Sequence, residues 1–152
     1  MDVETVDLAP GRLVGVHEVV AVPDLTDFFG RAFGTAAAAV AAVGAPPSGP
    51  AVALYRGDVT DRVDVTAGFP VPLDAPAPGD GLADVRLPEG PAVVTVHVGP
   101  YDTLRDTYAR LEQWMSGRGL VARDVMWEEY LDGPDAEPDP ARWRTRVVMP
   151  VR

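Results

Sequence analysis

Apolar and polar positions alternate through "RLVGVHEVV", residues 12–20, which predicts a strand with one face turned to a core. The spacing then changes. Leu25, Phe28, Phe29, Ala32, Phe33, Ala36, Val40 and Val43 recur at steps of three and four within "DLTDFFGRAFGTAAAAVAAVG", the apolar stripe of an amphipathic helix. Pro23 and Asp24 suit its first turn, and Gly44 stands past its end. "PAVALYRG" and "RVDVTAGFPV" return to the strand pattern and predict two strands joined by a short turn.

The same order of elements comes round a second time. "AVVTVHVG" predicts a strand, and "DTLRDTYARLEQWMSGRG" a helix with Leu104, Tyr108, Leu111 and Met115 on one face. "DVMWEEYL" and "RWRTRVVMPV" predict the closing strands. Val16-His17 and Val96-His97 are offset by 80 residues, as are Pro70-Val71 and Pro150-Val151. "VETVDL" and "ADVRLP" prepend a short strand to each half, and the Pro/Gly/Asp-rich residues 72–81 connect the halves. A β-α-β-β unit of this size does not bury both its helix and its sheet face alone, whereas two units packed together do. The expectation is one α+β domain over 1–152, made of duplicated β-α-β-β modules (1–71 and 82–152). Pseudo-twofold symmetry would relate the modules, with an antiparallel sheet, two long helices and a central ligand cleft.

Composition narrows the chemistry. The net charge is −10, from 23 acids against 13 basic residues, and no basic run occurs, which argues against nucleic acid as a partner. The same charge favours cationic small molecules, although solubility is its commonest meaning. With no cysteine, disulfides, thiolate nucleophiles and cysteine-bearing zinc sites are excluded. With no lysine, so are a Schiff base and a Walker-type phosphate clamp. Ile and Asn are absent too, a codon usage expected of a GC-rich bacterial genome. "MDVETVDLAP" lacks the basic and apolar regions of a signal peptide, and "AAAAVAAVGA" is too short to span a bilayer. These features lead to the expectation of a cytoplasmic protein with no membrane contact.

The most informative stretch is "MWEEYLDGP", residues 126–134. Aromatic residues favour a strand, and side chains alternate along it, so Glu128 shares a face with Met126 and Tyr130 while Glu129 shares one with Trp127. Whichever face packs inward, one acid goes with it. A carboxylate among rings is costly unless something pairs with it, and the pair would be an arginine or a ligand cation.

"GPYDTLRDTYARLEQWM", "MWEEYLDGP" and "DPARWRTRVVMPV" together resemble the GyrI-like (gyrase-inhibitor-like) small-molecule-binding domain. That module is also the effector-binding domain of AraC-type and MerR-type multidrug regulators. The resemblance covers nearly the whole chain and is densest in its last third. It implies two β-α-β-β modules, and a cleft between them for bulky aromatic, often cationic compounds. It also implies a Glu-x-Tyr glutamate on the cleft floor, which maps onto Glu128 and Tyr130. Tyr55 occupies the corresponding strand of the first half, and Tyr101 in "GPYD" matches the family pattern. Trp127 and Trp143 are candidates for the cleft walls, as is one of Phe28, Phe29 and Phe33, with Phe33 the choice. Each of these rings has an ordinary alternative as core packing, and Trp114 is left to packing or surface.

Other chemistry finds little support. His17 and His97 read as equivalent positions of the repeat rather than as a metal pair, and no ligand spacing accompanies them. Ser48 and Ser116 lie in a Pro-rich loop and at a helix end, outside any triad context. "PGDGL" lacks the setting of a phosphate cradle, and "DGPDAEPDP" reads as a solvated loop without EF-hand spacing. No cofactor is expected.

Three functions remain. The first is a stand-alone binder of hydrophobic, aromatic, preferably cationic compounds, monomeric or weakly dimeric and without DNA-binding helices. The second, implied by enzymatic relatives that use an aromatic–glutamate pair, is a hydrolase of cyclopropane-bearing DNA-alkylating compounds. There Trp127-Glu128 would be the pair, Glu128 the general base, and Tyr55 or Tyr130 the orienting group. The third is an inhibitor of a partner protein such as gyrase.

Overall fold

Eight strands form one antiparallel sheet in the computed structural model, which describes residues 2–44, 46–134 and 136–152. In chain order they are β1 (Val3–Leu8), β2 (Gly11–Ala21), β3 (Val52–Arg56), β4 (Arg62–Pro70), β5 (Ala83–Leu87), β6 (Gly90–Val98), β7 (Val125–Asp132) and β8 (Arg144–Pro150). Helix α1 (Leu25–Ala42) joins β2 to β3, and α2 (Leu104–Ser116) joins β6 to β7. Asp135, within the acidic 132–140 loop that the sequence assigns to solvent, lies outside the described residues.

The sheet order is β1-β6-β8-β7-β3-β4-β2-β5. It reads the same from both ends when β1 is exchanged for β5, β2 for β6, β3 for β7 and β4 for β8. The centre of the sheet is the β3–β7 pair, one strand from each side of the 72–81 connector. The short strands lie where the sequence predicts them, but their partners are in the other half. β1 pairs with β6, and β5 pairs with β2. The connectors give a reason. Ala9-Pro10 and Pro88-Glu89 each contain a proline, whose fixed negative φ is incompatible with the positive φ values of the tightest hairpin turns. The chain therefore leaves each short strand without folding back onto it.

Both helices lie on one face of the sheet. α1 buries Phe28, Ala32, Ala36 and Val40, and the alanines let it sit close over β2 and β4. α2 buries Leu104, Thr107, Leu111 and Met115 against Val93, Val147 and Met149. Gly119, at φ +67°, turns the chain out of α2, and the Leu120 N–H reaches back to the Met115 carbonyl at 3.0 Å. The opposite face holds Leu13, Val52, Leu54, Val94, Trp127 and Val148. Val6 and Leu8 of β1 join this cluster, and so do Val85 and Leu87 of β5. Strands from the two ends of the order therefore meet one core, and the sheet is curled around it.

The curl is tightest between β2 and β4, where Gly15 and Gly68 are directly paired. A Cβ on Gly68 would lie 2.0 Å from the Val14 carbonyl oxygen, so only glycine permits this approach. No helix among the described residues is long and apolar enough to cross a membrane.

His17 and His97 correct the strict offset of 80. On β2, Val16 and Val20 pack under α1, so His17 points to the other face, where it is exposed and pairs with Asp64 at 2.7 Å. His97 is buried on the helix side, 2.6 Å from Thr107 Oγ1 and 2.9 Å from the Pro100 carbonyl oxygen. A slip of one residue in a strand exchanges its faces, and the two histidines fall on opposite sides of the sheet.

Candidate functional site

The two helices pack mainly over the flanking strands, α1 over β2 and β4 and α2 over β6, and Glu128 stands on the central β3–β7 pair between them. On β7 it pairs with Ala53 of β3 on one side and Val147 of β8 on the other, both fully buried. Its own exposure is 6%. One carboxylate oxygen accepts a hydrogen bond from Tyr130 at 2.6 Å, and the other accepts one from Tyr108 of α2. The Tyr55 hydroxyl, on β3, interacts with both Glu128 and Tyr130.

Burial raises the Glu128 carboxyl above its ordinary range, and the hydrogen bonds from Tyr108, Tyr130 and Tyr55 oppose that rise. The phenols respond in the other sense. Burial, then the negative charge of Glu128, pushes Tyr55, Tyr108 and Tyr130 well above the usual tyrosine value, so all three remain donors. Hydrogen bonding is thus provided for, whereas charge comes only from His97 across space, the last and smallest of the influences on Glu128. Among the described residues no ion pair reaches Glu128. The nearest arginine by sheet register, Arg146, binds Glu129 at 2.8 Å on the opposite face.

A cavity of about 320 Å³ opens over this floor. Tyr55 and Glu128 form its base, and Phe29, Phe33, Tyr101 and Tyr130 its walls. The rings are in mutual contact. Phe29 stacks on Phe33 at 5.6 Å, and Phe33 meets Tyr130 edge-on at 6.1 Å. Tyr130 meets Tyr101 at 5.7 Å, and Tyr101 lies on Trp143 at 4.9 Å. The result is an apolar, electron-rich wall above one buried carboxylate.

Glu128, Tyr55, Tyr130, Phe33 and Tyr101, all singled out in the sequence, line this one cavity. Trp143 stands one layer back, behind Tyr101, with its indole N–H donating to the Glu137 carbonyl at 2.7 Å. Trp127 is a correction. It points to the opposite face, 4% exposed in the inner core, and its indole N–H donates to Glu129 at 3.0 Å. Residues adjacent in a strand face opposite ways, so the Trp127-Glu128 sequence pair is not a spatial pair.

Two contacts were not anticipated. Phe29 joins Phe33 in the wall, while Phe28 is fully buried beneath α1. Tyr108 reads as an ordinary member of the α2 apolar face, yet it supplies a hydroxyl to Glu128. Its one sequence signal is that it is the sole phenol in a stripe otherwise made of Leu and Met. Among the described residues there is no group of three or more His, Asp or Glu side chains that could hold a metal ion.

The fold and floor define a class: an α+β small-molecule-binding domain with an acid at the base of an aromatic cleft. The chain belongs to the GyrI-like small molecule binding domain family, whose sequence model matches residues 1–152. No curated protein matches it. Among solved structures, the MerR-type regulator EcmrR, in complex with DNA, superposes with a TM-score of 0.84 at 22% identity. That match covers 99% of this chain and 57% of the EcmrR chain, so this chain spans little more than half of the regulator. The structure of SAV2435 bound to tetraphenylphosphonium gives a TM-score of 0.70 at 14% identity, covering 100% of this chain and 94% of that one. A hydrolase encoded by lin2189 from Listeria innocua gives 0.69 at 17% identity, covering 99% and 92%. At these identities the likeness is one of fold.

Proposed function

We propose that the cleft binds hydrophobic, aromatic, preferably cationic small molecules, with Glu128 as the partner of the ligand's charge. The observation that carries this reading is the state of Glu128. It is buried, held by tyrosine hydroxyls, and among the described residues has no ion-pair partner at the base of an aromatic cavity. A positive ligand supplies the missing charge, and the ring wall supplies the burial. That SAV2435, a protein of the same fold, is bound to an aromatic monocation is consistent with it.

The test is a titration with tetraphenylphosphonium. At an effective dielectric of about 20, a cation centred roughly 6 Å from a carboxylate is attracted by about 3 kcal/mol. Glu128→Gln preserves the shape and removes the charge, so affinity should fall about ten- to hundredfold. A neutral analogue such as tetraphenylmethane carrying a solubilising hydroxyl should lose far less. Glu129→Gln, on the opposite face beside Arg146, should leave cation affinity nearly unchanged. Equal effects of the two substitutions would refute the assignment.

One observation favours a second, hydrolytic reading. A carboxyl raised by burial and ringed by phenols has the character of a general base. In that reading Glu128 takes a proton from a water that opens a strained electrophilic ring, while Tyr55 and Tyr130 orient the reactants. Turnover of a cyclopropane-bearing substrate, abolished in Glu128→Gln while substrate is still retained, would establish it.

A further inference from the structure

Glu128 and Tyr55 face a second cavity as well as the aromatic one. This lobe is larger, about 560 Å³, and lies between the start of α1, the turn after β3 and the Tyr108 side of α2. Its surface is of another kind. Val22, Leu25, Val59, Met126 and Met149 replace the rings, and flexible thioethers and small aliphatic groups adapt to a chain better than to a rigid ring system.

Its charge differs too. Leaving Glu128 aside, the lobe carries Asp58, Glu112 and Asp124 against Arg123, three acids and one cation, whereas the aromatic lobe carries no other ionisable acid or base besides its tyrosines. The one cation is engaged, because Arg123 donates to the Glu89 carbonyl at 3.1 Å. Asp124 has a loose partner in Arg152 at 4.0 Å. Tyr55 and Glu128 line both lobes and form the sill between them.

From this two-lobed form we infer a class of ligand: an aromatic ring system whose charge sits against Glu128, carrying a flexible aliphatic arm with a second cationic end. The rings fill the aromatic lobe, the arm crosses the sill along Leu25, Met126 and Met149, and the terminal ammonium lies among Asp58, Glu112 and Asp124. The inference rests on the proposed cation site at Glu128 and adds the second lobe to it. Shape and charge act together here, because apolar walls hold the arm and the acids select its end.

Three phosphonium probes separate the possibilities: tetraphenylphosphonium, hexyltriphenylphosphonium, and the same hexyl compound ending in trimethylammonium. They are titrated against the wild-type chain and the Asp58→Asn/Glu112→Gln double variant by isothermal calorimetry. The readout is the ratio of the two arms' affinities within each protein, so a general weakening does not imitate the effect. In low salt the ammonium-ended arm should bind the wild type about three- to tenfold more tightly than the hexyl arm, the sum of exposed charge pairs. At about 0.5 M salt that advantage should shrink, because such pairs are screened. In the double variant, which keeps Asp124 alone of the three acids, it should fall by more than half.

Equal affinities of the two arms for the wild type, or an advantage undiminished in the double variant, would overturn the inference while leaving the Glu128 site standing. If none of the three probes binds the wild type, the proposed function fails, and the second lobe with it. Circular dichroism of the variant establishes that its fold is intact.

Discussion

Glu128 carries opposed energies within one side chain. Its hydrogen bonds are made, but its charge is desolvated, and the net result is a carboxyl raised above its usual value of 4.5. The sign of the consequence follows from linkage. Between that ordinary value and the raised one, the folded chain holds a proton that the unfolded chain has lost, so stability falls as pH rises through this window. Glu128→Gln has no such proton to lose. Urea unfolding of the unliganded protein should therefore show the variant gaining on the wild type as pH rises above about 4.5, with no gain below it. A gain confined to acid pH would reverse the sign and refute the burial argument. The same variant should bind cations less well, so stability and affinity move in opposite directions at this one position. Much of this site was legible in the sequence, because Glu-x-Tyr spans the two-residue step that keeps side chains on one face. Tyr108 was not, since a helix stripe shows which face packs but not what its hydroxyl meets across 20 residues of chain. Trp127 misled for the opposite reason, being next to Glu128 in sequence and behind it in space.

The elements themselves followed from periodicity, because each helix and long strand buries one regular face. The stripe from Leu25 to Val43 became α1, and the stripe from Leu104 to Met115 became α2. What periodicity does not contain is partner choice, so it does not show that β1 pairs with β6 and β5 with β2. Nor does it reveal how closely two backbones approach. Glycines on different elements make that distinction measurable. Gly68 on β4 faces Gly15 with no room for a methyl group, so Gly68→Ala must push two strands apart and should cost at least about 2 kcal/mol. Gly30 lies on the exposed face of α1, where an added Cβ meets nothing within 4 Å. Gly30→Ala should therefore stabilise by about 0.5–1 kcal/mol through helix propensity. Thermal unfolding of both variants checks the pair, and a tolerated Gly68→Ala would mean that the β2–β4 approach is looser than the structure has it.

At the scale of the molecule, the crossed edge strands bear on whether either half is a unit in its own right. A cut after Pro76, inside the connector, would leave β1 to β4 with α1 on one fragment and β5 to β8 with α2 on the other. The first fragment then loses β5 from its β2 edge and β7 from its β3 edge, and the second loses β1 and β3. The curled inner core is also divided, because Leu13, Val52 and Leu54 lie on one fragment and Ala92, Trp127 and Val148 on the other. Each fragment would expose apolar faces and two unpaired strand edges, an arrangement that favours aggregation over an independent fold. We expect neither 1–76 nor 77–152 to give a dispersed amide NMR spectrum alone, and a one-to-one mixture to regain it. In the intact chain the same sharing should make unfolding all-or-none. Trp127 fluorescence from the inner core and far-ultraviolet circular dichroism of the whole sheet should then follow one denaturant curve. A fragment that folds alone, or two separated transitions, would show the halves to be autonomous. The cleft would then be an interface between two movable bodies, with the Tyr55–Glu128 sill crossing it, rather than a site built into a single core.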